Sequence, residues 1–323
     1  MNSHKKKLLV TAPIKRFKDV ISRCKKEYDL HIYEYAPYIE LEKIIHQYDF
    51  LIPNARIKID KNLIFKASTL KAIYQPSLGY DHIDVVSLKQ KNIKFGAISL
   101  DEEFRSKFWT TAEHTLMLIL ASLRNFKEMV DDVDNKFLWD NRKYLIKDLR
   151  DLTIGIIGYG NIGRKVCELL KGFGSQILVY DPYVNHASIN FDKIKKVSLQ
   201  NLLKESDVLT LHVPLNEETN NLIAKSELNQ MKESSIIINT SRGGILNEND
   251  FLWALENKKI FGGGFDVLKG ESPDGISNSK IAQISKINKH ITITPHVGGS
   301  GFKYMNEIFN HSITRLKELE NDN

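Results

Sequence analysis

Three side chains of the right types for acid–base chemistry follow short apolar runs of this chain. Arg242 comes after Ser235–Thr240, Glu271 shortly after Gly263–Val267, and His296 after Ile291–Thr294. An arginine fork can hold both oxygens of a carboxylate. A histidine titrates near neutral pH and can take or return a hydroxyl proton. A carboxylate beside it orients the ring and stabilises the imidazolium. Singly, each has an ordinary reading: a surface ion pair for Arg242, a solvated loop acid for Glu271, a hydrogen-bonded strand-end residue for His296. Together on one sheet edge they suit oxidation of a hydroxyl next to a carboxylate, or reduction of the corresponding 2-oxoacid. Gly298 and Gly299 beside the histidine fit close approach of a ligand.

Such a reaction needs a hydride acceptor, and the chain has a place for one. Leu152–Gly158 reads as a strand. Its end opens the turn Gly158-Tyr159-Gly160-Asn161-Ile162-Gly163, a helical stretch Arg164–Lys171 follows, and a second strand, Ile177–Tyr180, ends at Asp181. In this order Gly158 permits a tight turn, Gly160 lets the backbone approach a pyrophosphate, and Gly163 lets helix and strand pack closely. The helix N-terminus offers free N–H groups to the phosphates. Asp181 can accept from a ribose diol and repels a 2′-phosphate. Pro182 and Tyr183 supply no compensating arginine, so NAD is expected rather than NADP.

The elements that must position these residues read as α/β. Leu8–Thr11, His31–Tyr33, Phe50–Pro53, Ala72–Gln75 and Lys94–Ala97 read as strands, with helices at Ile39–Gln47 and Val85–Lys91. Thr110-Thr111-Ala112-Glu113 fits a capping box with Thr110 as N-cap, opening a helix that runs to Leu123. A second unit has six strands, at Leu152–Gly158, Ile177–Tyr180, Val208–Val213, Ser235–Thr240, Gly263–Val267 and Ile291–Thr294. Helices Leu199–Lys204 and Asn247–Asn257 lie between them, and Lys303–Leu319 closes the chain.

Composition excludes several classes. The 323 residues suffice for two domains, and 42% hydrophobic with 27% charged residues is ordinary for a globular protein. Cys24 and Cys167 make no metal pattern and fit a reducing compartment. No run approaches a membrane span, and Leu8-Leu9-Val10 is too short for a signal-peptide core, so the cytoplasm is expected. The net charge of +6 is scattered without a basic-aromatic stretch, which argues against nucleic acid and suits a small anionic substrate. His4, His46, His186, His290 and His311 read as surface residues, and His114 as structural.

The motifs together resemble the D-isomer-specific 2-hydroxyacid dehydrogenases, and within them the D-3-phosphoglycerate dehydrogenase branch. They are Gly158–Gly163 with Tyr180-Asp181-Pro182, Thr240-Ser241-Arg242-Gly243-Gly244, Phe265-Asp266-Val267 leading to Glu271, and Thr294-Pro295-His296-Val297-Gly298-Gly299. The 29 residues from Arg242 to Glu271 and the 25 from Glu271 to His296 are similar to the family's spacing. The resemblance implies a Rossmann NAD-binding domain at 108–296 and a flavodoxin-like substrate domain at 1–107 and 297–323. It also implies a homodimer, cofactor contacts from Asn161, Ile162, Asp181, Thr240, Ser241, Asp266 and His296–Gly299, and no metal. Asp266 would face the nicotinamide amide.

Departures from the family bear on the substrate. Ser77 stands where a glycine is usual, although the N–H groups of Ser77, Leu78 and Gly79 can still hold a carboxylate. Asn54-Ala55-Arg56 replaces the arginine that often follows the third strand in phosphoglycerate dehydrogenases. Arg105 and Lys107 replace an Asn-x-Pro pattern. No regulatory domain is expected to follow. A phosphorylated three-carbon acid leads the expectation, with glyoxylate, hydroxypyruvate or a sugar acid behind it. A non-catalytic NAD sensor and a formate-dehydrogenase-like enzyme are the rivals. The intact Arg242, Glu271 and His296 set argues against the first, and Glu271 as the histidine's partner against the second.

Overall fold

A computed structural model describes residues 5–144, 146–185, 194–272 and 275–321. Contacts divide the chain into two compact units, Met1–Phe108 with Ser300–Asn323, and Trp109–Gly299.

The first unit is built on five parallel strands, β1 (Lys7–Val10), β2 (Asp29–Ile32), β3 (Phe50–Ile52), β4 (Ala72–Gln75) and β5 (Lys94–Ala97), in the order β2-β1-β3-β4-β5. This is the flavodoxin-like order, in which the chain reverses direction across the sheet beside its first strand. Leu8, Leu9 and Val10 are all fully buried, as are Phe50, Leu51 and Ile52. Central parallel strands are covered on both faces, which is why they read as unbroken apolar runs. The closing helix Phe302–Asn321 buries Ile308, Phe309, Ile313 and Leu316 in the same core as Leu8, Val10 and Phe50. His311 lies on this helix and is not a surface residue: it stacks on Phe104 with ring centroids 3.8 Å apart. His46 is exposed, and His4 and His186 lie outside the described residues.

The second unit holds seven parallel strands. They are β6 (Thr153–Ile157), β7 (Gln176–Tyr180), β8 (Ile194–Lys196), β9 (Val208–Leu211), β10 (Ile236–Asn239), β11 (Gly262–Phe265) and β12 (Ile291–Ile293), in the order β12-β11-β10-β9-β6-β7-β8. The core of this sheet is the doubly wound Rossmann arrangement. One strand more than the six expected is present, because β8 is a three-residue edge strand paired only to β7. The helix expected from Arg164 begins earlier and spans Asn161–Lys171.

The capping box at Thr110 does not form. The helix runs Thr110–Leu123, but Trp109 is already in helical conformation and takes the N-cap place, with no side-chain cap bond. Thr110 is therefore inside the first turn, where its hydroxyl cannot reach back as a cap. Among the described residues no helix is long and apolar enough to cross a membrane.

Candidate active site

The glycine turn leaves β6 as the residue types require. Gly158 has φ +93°, and its N–H donates to the Tyr180 carbonyl at 2.9 Å. A Cβ built on Gly163 would lie 2.0 Å from the Gly158 carbonyl oxygen, so only glycine lets the helix start this close to the strand. A Cβ on Gly160 would meet nothing within 4 Å. Above it is open space at the N-terminus of Asn161–Lys171, a helix with no side-chain cap. Free N–H groups, a positive dipole end and room for a ligand fit a pyrophosphate.

Asp181 closes the turn from the side. Its Oδ2 accepts from the Tyr159 N–H at 2.8 Å and its Oδ1 from the Tyr183 N–H at 2.9 Å. His212, at the end of β9, is held neutral, since burial pushes its imidazole down to about 3. It is not a candidate acid or base near neutral pH.

Arg242, Glu271 and His296 follow β10, β11 and β12, three neighbouring strands at one end of the sheet order. Buried Asn239 shapes the turn that carries Arg242. Its Oδ1 accepts from the Ser241 N–H at 3.1 Å and the Ser241 hydroxyl at 2.9 Å, and its Nδ2 donates to the Arg242 carbonyl at 2.9 Å. Thr240 is tied to Thr115 of the helix Thr110–Leu123 at 2.8 Å. Gly243 lets this turn lie against the backbone leading to Glu271, because a Cβ there would be 2.2 Å from the Leu268 carbonyl carbon.

The structure brings His296 and Glu271 together, with Nδ1 2.5 Å from Oε1. A carboxylate accepts, so Nδ1 carries the proton in the neutral ring and Nε2 is left to exchange one. Among the described residues Nε2 has no hydrogen-bond partner. The second oxygen of Glu271 accepts from the Leu268 N–H at 3.3 Å, which seats the acid on its own turn.

His296 has φ +56°, a left-handed conformation that costs a non-glycine residue about 1 kcal/mol or more. Asp266 compensates. Its Oδ1 accepts from the Val297 N–H at 2.9 Å and its Oδ2 from the Gly298 N–H at 2.8 Å. The Thr294 hydroxyl donates to Oδ1 at 2.7 Å, and His114 Nε2 lies 3.2 Å from Oδ1 and 2.9 Å from the Thr294 oxygen. Because Thr294 uses its proton on Asp266, His114 is the donor to it. Burial raises the Asp266 carboxyl, but His114, Thr294 and the two N–H groups outweigh it and hold the carboxyl down at about 2. It is therefore ionised near neutral pH. Three donors of the Thr294–Gly298 turn thus tie it to Asp266 at the end of β11, and His114 ties it to the helix Thr110–Leu123. Asn239, His114 and Thr294 were not expected as site residues. Asn239 and Thr294 each end an expected strand, and Thr294 also opens the motif that carries His296, so the sequence does point to these two but not to His114.

In the first unit, the Ser77 hydroxyl accepts from Gln75 Nε2 at 2.6 Å and donates to the Gly79 carbonyl at 2.9 Å. The serine therefore closes its own turn. The N–H groups of Ser77, Leu78 and Gly79 have no acceptor among the described residues. Arg105 and Lys107 pair with Glu102 and Glu103 of the short helix Glu102–Arg105, each at 3.7 Å. Among the described residues no group of three or more His, Cys, Asp or Glu side chains could hold a metal ion.

A doubly wound parallel sheet with this glycine turn and a strand-end histidine–carboxylate pair defines a dinucleotide-dependent oxidoreductase. The family described as D-isomer specific 2-hydroxyacid dehydrogenase matches along nearly the whole chain, its catalytic domain over residues 8–115 and its NAD binding domain over 116–298. A hydroxypyruvate reductase of Thermotoga maritima is 33% identical over 262 residues, which cover 81% of each chain. A D-3-phosphoglycerate dehydrogenase of Methanocaldococcus jannaschii is 31% identical over 300 residues, covering 91% of this chain but 53% of that one. The crystal structure of an Aquifex aeolicus D-lactate dehydrogenase complexed with NAD and lactic acid has a TM-score of 0.84 and 28% identity, covering 96% of this chain and 94% of that one. The chain belongs to the D-isomer specific 2-hydroxyacid dehydrogenases. It is an NAD(P)-binding oxidoreductase that interconverts a 2-hydroxyacid and a 2-oxoacid. Relatives of several activities match it at similar identity, from 31% to 33%.

Proposed function

We propose that this enzyme reduces a short, unphosphorylated 2-oxoacid of the hydroxypyruvate or glyoxylate kind with NADH, and that Arg242, Glu271 and His296 perform the chemistry. Bound nicotinamide supplies or accepts the hydride. His296 gives its Nε2 proton to the oxygen of the reduced carbonyl, or takes it back in the oxidising direction. Glu271 holds Nδ1 and balances the charge when the ring is an imidazolium. Arg242 holds the substrate carboxylate and polarises the carbonyl. The observation that carries this reading is the 2.5 Å contact of His296 with Glu271, which leaves Nε2 available. Gly158–Gly163 and Asp181 hold the cofactor, with Thr240, Ser241, Asp266 and the Val297–Gly299 backbone beside it. In the first unit, the N–H groups of Ser77, Leu78 and Gly79 suit a carboxylate.

The choice of acid departs from the phosphorylated one that the motifs first suggest. Where phosphoglycerate dehydrogenases often place an arginine, this chain has Asn54, which is buried. Its backbone N–H donates to Thr11 Oγ1 at 3.0 Å, and its Oδ1 accepts from the Arg56 N–H at 2.8 Å. Arg56 itself is exposed. NADH oxidation with glyoxylate, hydroxypyruvate, pyruvate and phosphohydroxypyruvate tests the proposal. One of the first two should exceed phosphohydroxypyruvate in kcat/KM by about tenfold or more. The reverse order would overturn it.

We also infer a homodimer. The segment after the helix Phe126–Asp134 is anchored by buried Asp132, which accepts from the Tyr144 hydroxyl at 2.6 Å and from Lys136 at 2.8 Å. Yet it presents Phe137 and Trp139 at 90% and 93% exposure. An ordered apolar surface of this kind suits a second copy. A monomer in sedimentation at micromolar concentration would contradict it.

A further inference from the structure

The cofactor-selecting side of the glycine turn carries more negative charge than Asp181 alone. β7 and β9 lie on either side of β6, so the segments leaving their ends flank the glycine turn. On the β7 side, the Tyr183 N–H donates to Asp181. On the β9 side is a tight turn in which the N–H of Asn216 donates to Thr219 Oγ1 and the N–H of Thr219 to Asn216 Oδ1, both at 2.9 Å. This turn carries Glu218, and the Tyr183 hydroxyl donates to Glu218 Oε2 at 2.6 Å. The ring of Tyr183 is 80% exposed, so no surrounding core sets the direction of its hydroxyl. The phenol's pKa is raised, first by the bond to Glu218 and its charge, then by burial and by the charge of Asp181. Both carboxylates therefore act on one small region. Arg164, a cation on the first turn of the helix Asn161–Lys171, is directed elsewhere: its Nε donates to the Tyr159 carbonyl at 3.0 Å, and its guanidinium lies 5.3 Å from the Tyr159 ring centroid.

We propose that Glu218, held by Tyr183, is a second cofactor-selecting carboxylate that shares with Asp181 the exclusion of a 2′-phosphorylated cofactor. The proposal rests on the reading that this site prefers NAD to NADP. A ribose 2′-hydroxyl can donate to either acid, whereas a 2′-phosphate brings negative charge against both. Neutralising Asp181 alone then leaves one repelling charge in place, so a single substitution there opens the site only in part.

The test is direct binding to the full chain. Dissociation constants of NADH and NADPH are read from nicotinamide fluorescence at low and high salt, for wild type, Asp181→Asn, Glu218→Gln and Tyr183→Phe. Glu218→Gln should narrow the NADH-over-NADPH preference by about tenfold at low salt and by less at high salt, as expected of a screened surface charge. Tyr183→Phe should narrow it by a smaller factor, because the acid remains but loses its tether. A wild-type preference for NADH that Glu218→Gln leaves unchanged would overturn the role of Glu218 alone. Equal wild-type binding of NADH and NADPH would instead remove the NAD preference on which the proposal rests.

Discussion

Changing His296 to asparagine lowers kcat by about three orders of magnitude and leaves the NADH dissociation constant within about threefold. The loss follows from the proton. Nδ1 of His296 is bound to Glu271, and Nε2 is the nitrogen left to serve the substrate oxygen. An asparagine can keep a hydrogen bond but cannot carry a proton between the two states of the reaction. It also tolerates the left-handed backbone at position 296, so the variant tests chemistry rather than folding. Steady-state kinetics with the best 2-oxoacid and a fluorescence titration of NADH separate the two quantities. Retained turnover would remove His296 from the acid–base role. A parallel loss of NADH binding would mean that the Thr294–Gly298 turn had collapsed.

Changing Arg242 to methionine lowers kcat/KM by about two to four orders of magnitude, since two charge-assisted hydrogen bonds to a carboxylate are lost together. Lysine does not restore the activity, because a point charge cannot replace a planar fork. The fold should be indifferent to the change. The turn is shaped by Asn239 through backbone groups and the Ser241 hydroxyl, while the guanidinium makes a 2.7 Å bond to the adjacent Ser241 carbonyl. Kinetics alongside thermal melting check this. A melting temperature that falls with the activity would mean that Arg242 is a structural residue.

Much of this architecture is legible in the chain because parallel strands buried on both faces must be apolar along their length. Ile236-Ile237-Ile238 and Leu8-Leu9-Val10 leave little choice, and the five strands of the first unit fall within two residues of where they are expected. The glycine turn is legible because tight turns and close approaches admit few other residues. The clamp on the Thr294–Gly298 turn is not. His114 meets Thr294 across 180 residues, and nothing in the local pattern of a helix shows which strand end it will face. Asp266 is the clearest case. Sequence reasoning assigns it to the cofactor, whereas the bonds it accepts from Thr294, Val297 and Gly298 show that it also organises the turn bearing His296. The left-handed backbone of His296 has no signature in Pro-His-Val-Gly. The error at Thr110 has a local cause: a threonine three residues before a glutamate has the pattern of a cap, and only the helical conformation of Trp109 removes it. The bond from Tyr183 to Glu218 likewise depends on which strands flank β6, and sheet order is not written in either segment.

The most direct test of the central claim is the fate of the hydride. The wild-type enzyme is given stereospecifically C4-deuterated NADH with its best 2-oxoacid, and the product is analysed for label and configuration. One deuterium is expected at C2 of the D-2-hydroxyacid from one of the two C4 epimers of the labelled NADH, and none from the other. Tight NADH binding without reduction of any 2-oxoacid, or a product whose C2 hydrogen comes from solvent, would contradict it.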